Sequence, residues 1–356
     1  MFSSFPPPVC YSLDPVRIHQ NSLDPEMSSF LASFKDSKNE ASWMEICRRH
    51  YSKVMTSKPH DLTGRVLADL LEKVVTHLSS SASDCFFGPA QYKAEEKNVQ
   101  NAVLSSVEQL GINTCLRYGS FLKLLTDDAA SDLTLLMKHM KMFLSNQRVQ
   151  TSSELTSHQD GYPGHDWLTC TVFLLTAGDV QQSLRLLLSL SSLLTSAFIW
   201  PARIHSSVHV PVEAAASGIP PVYWSTAHYV EMLLKDELPL VQSAFRMSGF
   251  TPSQMCLHWL TQCFWNYLDW TEICHYVSTC VLMGPDYQVY MCVAVFKHLQ
   301  PEILQRTQAQ ELQVFLKEEP IQDFKVSRYL DFMEDLERSY RSIVLSDMKT
   351  ICSPAE

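Results

Sequence analysis

Phe250-Thr251-Pro252-Ser253, then Leu257-His258-Trp259-Leu260 and Phe264, then Trp270-Thr271, then Gly284-Pro285-Asp286-Tyr287, closed by Val293-Ala294-Val295-Phe296-Lys297: this spelling, set within residues 238–305, decides the fold. Apolar residues recur at helical spacing between the punctuation marks, so each segment reads as a helix with an apolar inward stripe. Pro252 suits the first turn, where its missing N–H costs little, of a helix expected to run to about Tyr267, and Thr251 stands in the N-cap place. Gly284 supplies a residue tolerant of positive φ at the end of one helix, and Pro285-Asp286 opens the next. The expectation is three antiparallel helices joined by tight loops.

Outward from that block the pattern stays helical. Toward the C-terminus, helices are expected over 307–317 and 323–346, with a short tail at 347–356. Upstream, helices are expected over 223–234, 180–197 and 167–176. The stretch Leu186–Trp200 is apolar, but it has only 15 residues and four serines. A membrane span needs about 20 apolar residues, so this reads as a buried helix. A Pro-rich loop passes through Pro201, Pro211, Pro220 and Pro221. Residues 146–166 form the clearest break, ending in Asp160-Gly161-Tyr162-Pro163-Gly164 with turn dipeptides throughout. A helical region at 28–145 precedes it, with helices over 27–58, 61–79 (opened by Asp61), 94–125 and 131–144 and a Ser/Gly/Pro loop at 79–90. Residues 1–27, with Pro6-Pro7-Pro8 and two Leu-Asp-Pro steps, read as a loose leader in which proline blocks helix propagation.

Composition agrees. Glycine numbers 10 in 356, under 3% against roughly 7% in average usage, too few for turn-rich sandwiches, propellers or Gly-looped nucleotide binders. With 46% hydrophobic residues a sizeable core can be buried. The fold class is all-α. The formal charge of −10 is unclustered, which argues against nonspecific nucleic-acid binding and against an anionic membrane surface. Eleven cysteines without tight pairs, behind an N-terminus with no secretory pattern, read as buried free thiols in a reducing, cytosolic compartment.

The block at 238–305 resembles the C-terminal half of the TBC domain, the all-helical Rab GTPase-activating fold. Trp259-Leu260, Phe264, Glu272-Ile273-Cys274-His275 and Gly284 with Ala294 occupy the places of that family's Trp-Phe-Leu run, its Phe, its Arg-Ile-Trp-Asp-like helix and its Gly followed by an Ala-rich helix. Asp166 to Leu175 resembles the helix after the family's Gln-Gly-Met step. The likeness covers about 165–305. It defines a TBC-like helical domain at 167–346 and allows 28–145 as that domain's diverged first half. Within the family it is greatest to the C-terminal part of a much longer ciliary protein, which implies the cytoplasm and primary cilium, cilium assembly and Hedgehog signalling.

The family's two catalytic groups have no clear counterpart here. TBC proteins present an Arg from Ile-x-x-Asp-x-x-Arg and a Gln from Tyr-x-Gln, the first worth about 10³–10⁵ in rate, or roughly 4–7 kcal/mol. None of the 13 tyrosines has Gln two residues on. Aligned on the Trp167 helix, the Gln place falls at His165 and the following Gly at Asp166. An imidazole cannot offer the amide's donor and acceptor from one planar group. The nearest echo of the Arg motif is Ile112 through Cys115 to Arg117, with Cys in the Asp place and Arg one residue early, about 100° around a helix. Phe332-x-x-Asp335-x-x-Arg338 has the spacing at the wrong end of the domain and reads as an exposed i,i+3 pair. Asp14-x-x-Arg17 lies in the leader.

Other chemistries find less. His205 and His209 are bracketed by Pro201 and Pro211 and lack a partnering Glu. Cys256, Cys263, Cys274, Cys280 and Cys292, with His258 and His275, have no Cys-x-x-Cys knuckle and sit in amphipathic helices, so they read as core. The aromatic set Trp259, Trp265, Trp270, Tyr267 and Tyr276 reads as core by periodicity, with an aromatic partner groove as its alternative. No phosphate loop or nucleophile elbow occurs.

The expectation is therefore a catalytically silent TBC scaffold or adaptor. It would bind a Rab-type small GTPase or another protein partner, without catalytic residues, metal or cofactor and without a transmembrane segment. Two alternatives stand beside it: an active Rab GTPase-activating protein using Arg117 or Arg203 with His165, and a helical interaction module unrelated to GTPases.

Overall fold

A computed structural model describes residues 40–81, 86–87, 92–93, 96–126, 128–150, 166–203, 221–306 and 308–352. The leader, the histidines at 165, 205 and 209, and most of the 79–90, 146–166 and 201–221 connections lie outside these. Among the described residues there are helices and turns and no strand, so the all-α expectation holds.

The block that opens the sequence argument lies at the centre. Helix α12 (Trp270–Leu282) buries nearly every residue, and α13 (Tyr287–His298) buries Tyr287 through Phe296 without a break. Helices apolar all round are central ones, with neighbours on every side. α11 (Pro252–Thr261) begins at Pro252 as expected, and it packs with α13 around α9 (Pro221–Glu237). α16 (Val326–Cys352) closes the other side against α13 and α1 (Glu40–Ser57). Between Met283 and Tyr287 the chain turns through Gly284 at φ 129°, a value only glycine adopts readily. A Cβ there would lie 2.6 Å from Asp286 Oδ1 and 2.9 Å from Arg341 Nη2.

The N-terminal helices share the same core. In α2 (Gly64–Ser80), Val66, Leu67, Leu70, Leu71, Val74, Val75 and Leu78 form an i, i+4 stripe that seats on α7 (Val180–Leu190) and α12. Tyr51 of α1 bonds Ser278 and Thr279 of α12 at 2.8 and 2.9 Å. One apolar cluster runs from Trp43 to Cys352, so 28–145 and 167–346 are not separate cores.

Several boundaries differ from the sequence reading. Asp61 closes a 3₁₀ turn at Pro59–Asp61, and α2 starts at Gly64. The helix expected over 94–125 is two, α3 (Glu96–Asn101) and α4 (Ser106–Phe121). The first ends at Asn101, and Ser105 opens the second by forming a capping box with Glu108, with bonds of 3.2 and 2.6 Å. α5 (Ala129–Gln150) runs past residue 146, and α16 past 346 to Cys352. The apolar stretch 180–197 breaks at Ser191–Leu193 before α8 (Leu194–Ile199). Residues 262–267 leave the helix, with positive φ at Cys263, Phe264 and Asn266. None of the described helices is long and apolar enough to cross a membrane.

Candidate functional site

Asp166 precedes Trp167-Leu168-Thr169, and an Asp just ahead of a helix is built to accept from backbone N–H groups two or three residues on. It caps α6 (Trp167–Leu175): its Oδ1 accepts from the Thr169 N–H at 2.9 Å. Both carboxylate oxygens also accept from the Trp200 indole N–H, at 3.1 and 3.0 Å. Burial raises the Asp166 carboxyl above the ordinary carboxylate range; the Thr169 and Trp200 bonds hold it back, and the charge of Glu108 adds to the rise. Below it, the Trp265 N–H donates to Thr171 Oγ1 at 2.8 Å, and the Trp265 ring lies 5.3 Å from Trp167 and 5.2 Å from Tyr118. Asp166, expected in the place of the family's Gly, is therefore the cap of a packed helix start. Its side chain is already saturated with donors, and His165 lies outside the described residues.

α4 runs along α6. Cys115 Sγ donates to the Cys170 carbonyl at 3.8 Å, and a Cβ on Gly119 would stand 2.6 Å from Leu174 Cδ2, so this helix pair is close. Ile112, Cys115, Tyr118 and Gly119 take the inward face, which turns Arg117 outward to solvent. Arg117 is thus available to a partner but projects away from α6. Lys141 is bound to Glu108 at 2.8 Å.

Arg203 is the clear correction. It is 3% exposed, its Nε donates to the Ser191 carbonyl at 3.2 Å, and its guanidinium stacks on Phe87 at 4.8 Å from the ring centroid. A finger must project from the surface into a bound GTPase, and a guanidinium held inside the fold cannot. Asp335 and Arg338 do form the exposed i,i+3 ion pair expected of them.

The remaining candidates are structural. The aromatic set Trp259, Trp265, Tyr267, Trp270 and Tyr276 is buried throughout, so the groove alternative fails. Every described cysteine is free and buried, and no group of His, Cys, Asp and Glu among the described residues could hold a metal ion. His275 bonds the Leu62 carbonyl through Nε2 at 3.0 Å, tying α12 to the turn before α2. Burial alone would raise Glu272, but His275, Lys325 and the Val326 N–H, which donates at 2.8 Å, outweigh it and leave the carboxyl below its usual range.

A second charged centre lies where α1, α13 and α16 meet. Glu337 binds Arg48 at 3.4 Å and Arg341, and it accepts the Tyr287 hydroxyl at 2.5 Å. Ser52 donates to Glu334 at 2.6 Å. Fully buried Asp286 has no hydrogen-bond partner on either carboxylate oxygen, with Arg341 Nη1 at 3.6 Å. Burial pushes its pKa to about 6 against the pull of Arg341. Sequence reasoning passed over this clasp and the Asp166–Trp200 pair. Asp166 was legible as a cap by composition; the clasp joins residues nearly 300 positions apart and left no local signal.

The family model described as the Broad-minded protein Rab TBC domain matches residues 1–351. The chain belongs to this family. The match extends well beyond the 165–305 over which the spelling resembles TBC domains. Protein broad-minded of Danio rerio is 62% identical over 351 residues, covering 99% of this chain and 27% of that protein. Protein broad-minded of Mus musculus is 50% identical over the same length, with the same two coverages. The chain thus spans about a quarter of the length of these curated broad-minded relatives. A crystal structure of the Chlamydomonas flagellar RabGAP TBC domain aligns with a TM-score of 0.48 at 12% identity, over 82% of this chain and 83% of that one.

Proposed function

We propose that this broad-minded-type TBC domain is a catalytically silent scaffold that holds a Rab-type small GTPase or another protein partner without accelerating hydrolysis. The observation that carries the reading is the state of Asp166. At Asp166, which aligns with the family's Gly beside His165 in the Gln place, the chain offers a half-buried carboxyl clasped by Trp200 and the Thr169 N–H. A carboxyl there opposes, and cannot neutralise, charge developing on a transferring phosphate. The burial of Arg203 supports the same reading. Family membership supports a setting in the cytoplasm and primary cilium, in cilium assembly and Hedgehog signalling.

One observation favours the rival, an active GTPase-activating protein: Arg117 is exposed. If it served as a finger, Arg117→Ala would remove a stimulation seen with the wild-type chain. The test of the scaffold reading is binding of the full chain to a panel of Rab-type GTPases in their GTP-loaded and GDP-loaded forms. Saturable binding of at least one member, unaffected by Arg117→Ala, is expected. Absence of binding across the panel would overturn the GTPase half of the reading and leave a helical interaction module.

A further inference from the structure

α4 carries two faces of different kinds. Glu108, Gly111, Ile112, Cys115, Tyr118 and Gly119 are buried against the rest of the fold. On the other side stand Val107, Leu110, Thr114, Arg117 and Phe121, at successive spacings of 3, 4, 3 and 4 residues. That is the a/d pattern of a helix seam, repeated over two heptads on a surface already fixed by its inner face. Val107 is 44% exposed, Leu110 62% and Phe121 61%, and Val103 just before the helix is 80% exposed. Large apolar side chains scattered singly need no explanation, but three of them sharing one helix face with Thr114 and Arg117 between do. The Thr114 hydroxyl donates to the Leu110 carbonyl at 2.8 Å, so a partner can cover it without stranding a donor.

Charge identifies the partner's chemistry. The helix has two formal charges, Glu108 and Arg117. Glu108 is buried and bound to Lys141, which leaves Arg117 as the exposed charge of the helix, a cation on a chain of net −10. Thr114 and Arg117 hold the middle of the stripe between apolar ends, and a lone exposed Arg among apolar side chains suits a carboxylate.

We propose that the outer face of α4 docks an amphipathic helix of a partner protein, through an apolar stripe of its own with an Asp or Glu beside it to meet Arg117. A second copy of the chain fits poorly, because antiparallel pairing of α4 with itself sets Arg117 against Leu110 and supplies no carboxylate. The proposal does not rest on GTPase binding, since it uses only the exposed face of α4.

The test places p-benzoylphenylalanine at position 121 of the full chain, irradiates it in an extract of ciliated cells, and maps the cross-linked segment by mass spectrometry. A synthetic peptide of that segment is then titrated against the unmodified chain. The expected segment has apolar residues at 3–4 spacing with Asp or Glu adjacent, and its peptide becomes helical on binding. Arg117→Glu and Leu110→Glu should each weaken it tenfold or more, while both variants keep the wild-type melting temperature. Cross-links to a second copy, to a non-helical or basic segment, or to nothing would overturn the proposal. So would a peptide whose affinity ignores Arg117→Glu. GTPase binding measured on the same variants reports separately, so failure of one reading is not mistaken for failure of the other.

Discussion

Asp166 and Asp286 are both carboxyls at the start of a helix, the first half-buried and the second fully buried, and they are handled in opposite ways. Asp166 is surrounded by neutral donors, the Trp200 indole and the Thr169 N–H. Asp286 has no hydrogen bond on either oxygen but faces Arg341, with Arg48 and Glu337 close by. Guanidinium groups are therefore present inside this fold, but at the clasp they tie the first described helix to the last. Arg203, one of the two arginines considered as a finger, is bound to Ser191 and Phe87. The difference teaches where Arg48, Arg341 and Arg203 are committed: to holding the fold together, with Arg117 on the outside of α4.

The largest effect should come from the clasp's turn. Gly284→Val forces a branched side chain onto φ 129° and into contact with Asp286 and Arg341. A loss of about 3 kcal/mol or more is expected from strain and overpacking together, read as a fall in denaturant midpoint. A loss under 1 kcal/mol would mean the turn is slack and the clasp is not rigid.

Asp166→Ala should come next. It removes the cap of α6 and leaves the buried Trp200 N–H without an acceptor, for a cost of about 2–3 kcal/mol. Asp166→Asn, which keeps an acceptor oxygen, should recover at least half. If Asn were as damaging as Ala, the charge rather than the hydrogen bonds would be holding the site, and the contrast with Asp286 would collapse.

Asp286→Asn sharpens the other side through pH. The carboxyl's pKa is raised from 3.8 to about 6 in the folded protein, so the fold favours the protonated form. Its stabilising contribution is present below the unfolded pKa and is lost as pH rises through about 6. A shift of about two units corresponds to roughly 3 kcal/mol at full burial. The Asn variant stays neutral, so its melting temperature relative to wild type should climb between pH 4 and pH 7. A flat difference over that range would show that Arg341 and Arg48 fully compensate the charge. Smallest of all, Arg117→Ala should change stability by no more than about 0.5 kcal/mol, as expected for an exposed side chain outside any packed feature.

Much of the fold was legible because its centre is spelled locally. Phe250 to Lys297 contains helix starts at Pro252 and just after Pro285, a glycine where positive φ is needed, and apolar spacing that the central helices use in full. The breaks at 102–105 and 262–267 were missed for different reasons. Ser105 and Glu108 form a capping box that can be read by eye, but the apolar pattern runs through it. Cys263, Phe264 and Asn266 take positive φ with no Gly or Pro to announce it. At the candidate site, the lack of a Tyr-x-Gln and of an in-register Ile-x-x-Asp-x-x-Arg was plain in sequence. What holds Asp166 in place was not, since Trp200 meets it from 34 residues away. Arg203 looked available because its neighbours in sequence are prolines and loop residues; its real neighbours are Phe87 and Ser191.

The central claim is that this domain retains a TBC fold without the means to speed hydrolysis. Single-turnover hydrolysis of GTP by each of a panel of Rab-type GTPases, with the full chain in excess, tests it most directly. The account predicts rates within about twofold of the GTPase alone for every member, including those the chain binds. Stimulation of about a hundredfold or more on any member, a sizeable part of what an arginine finger supplies, would contradict it.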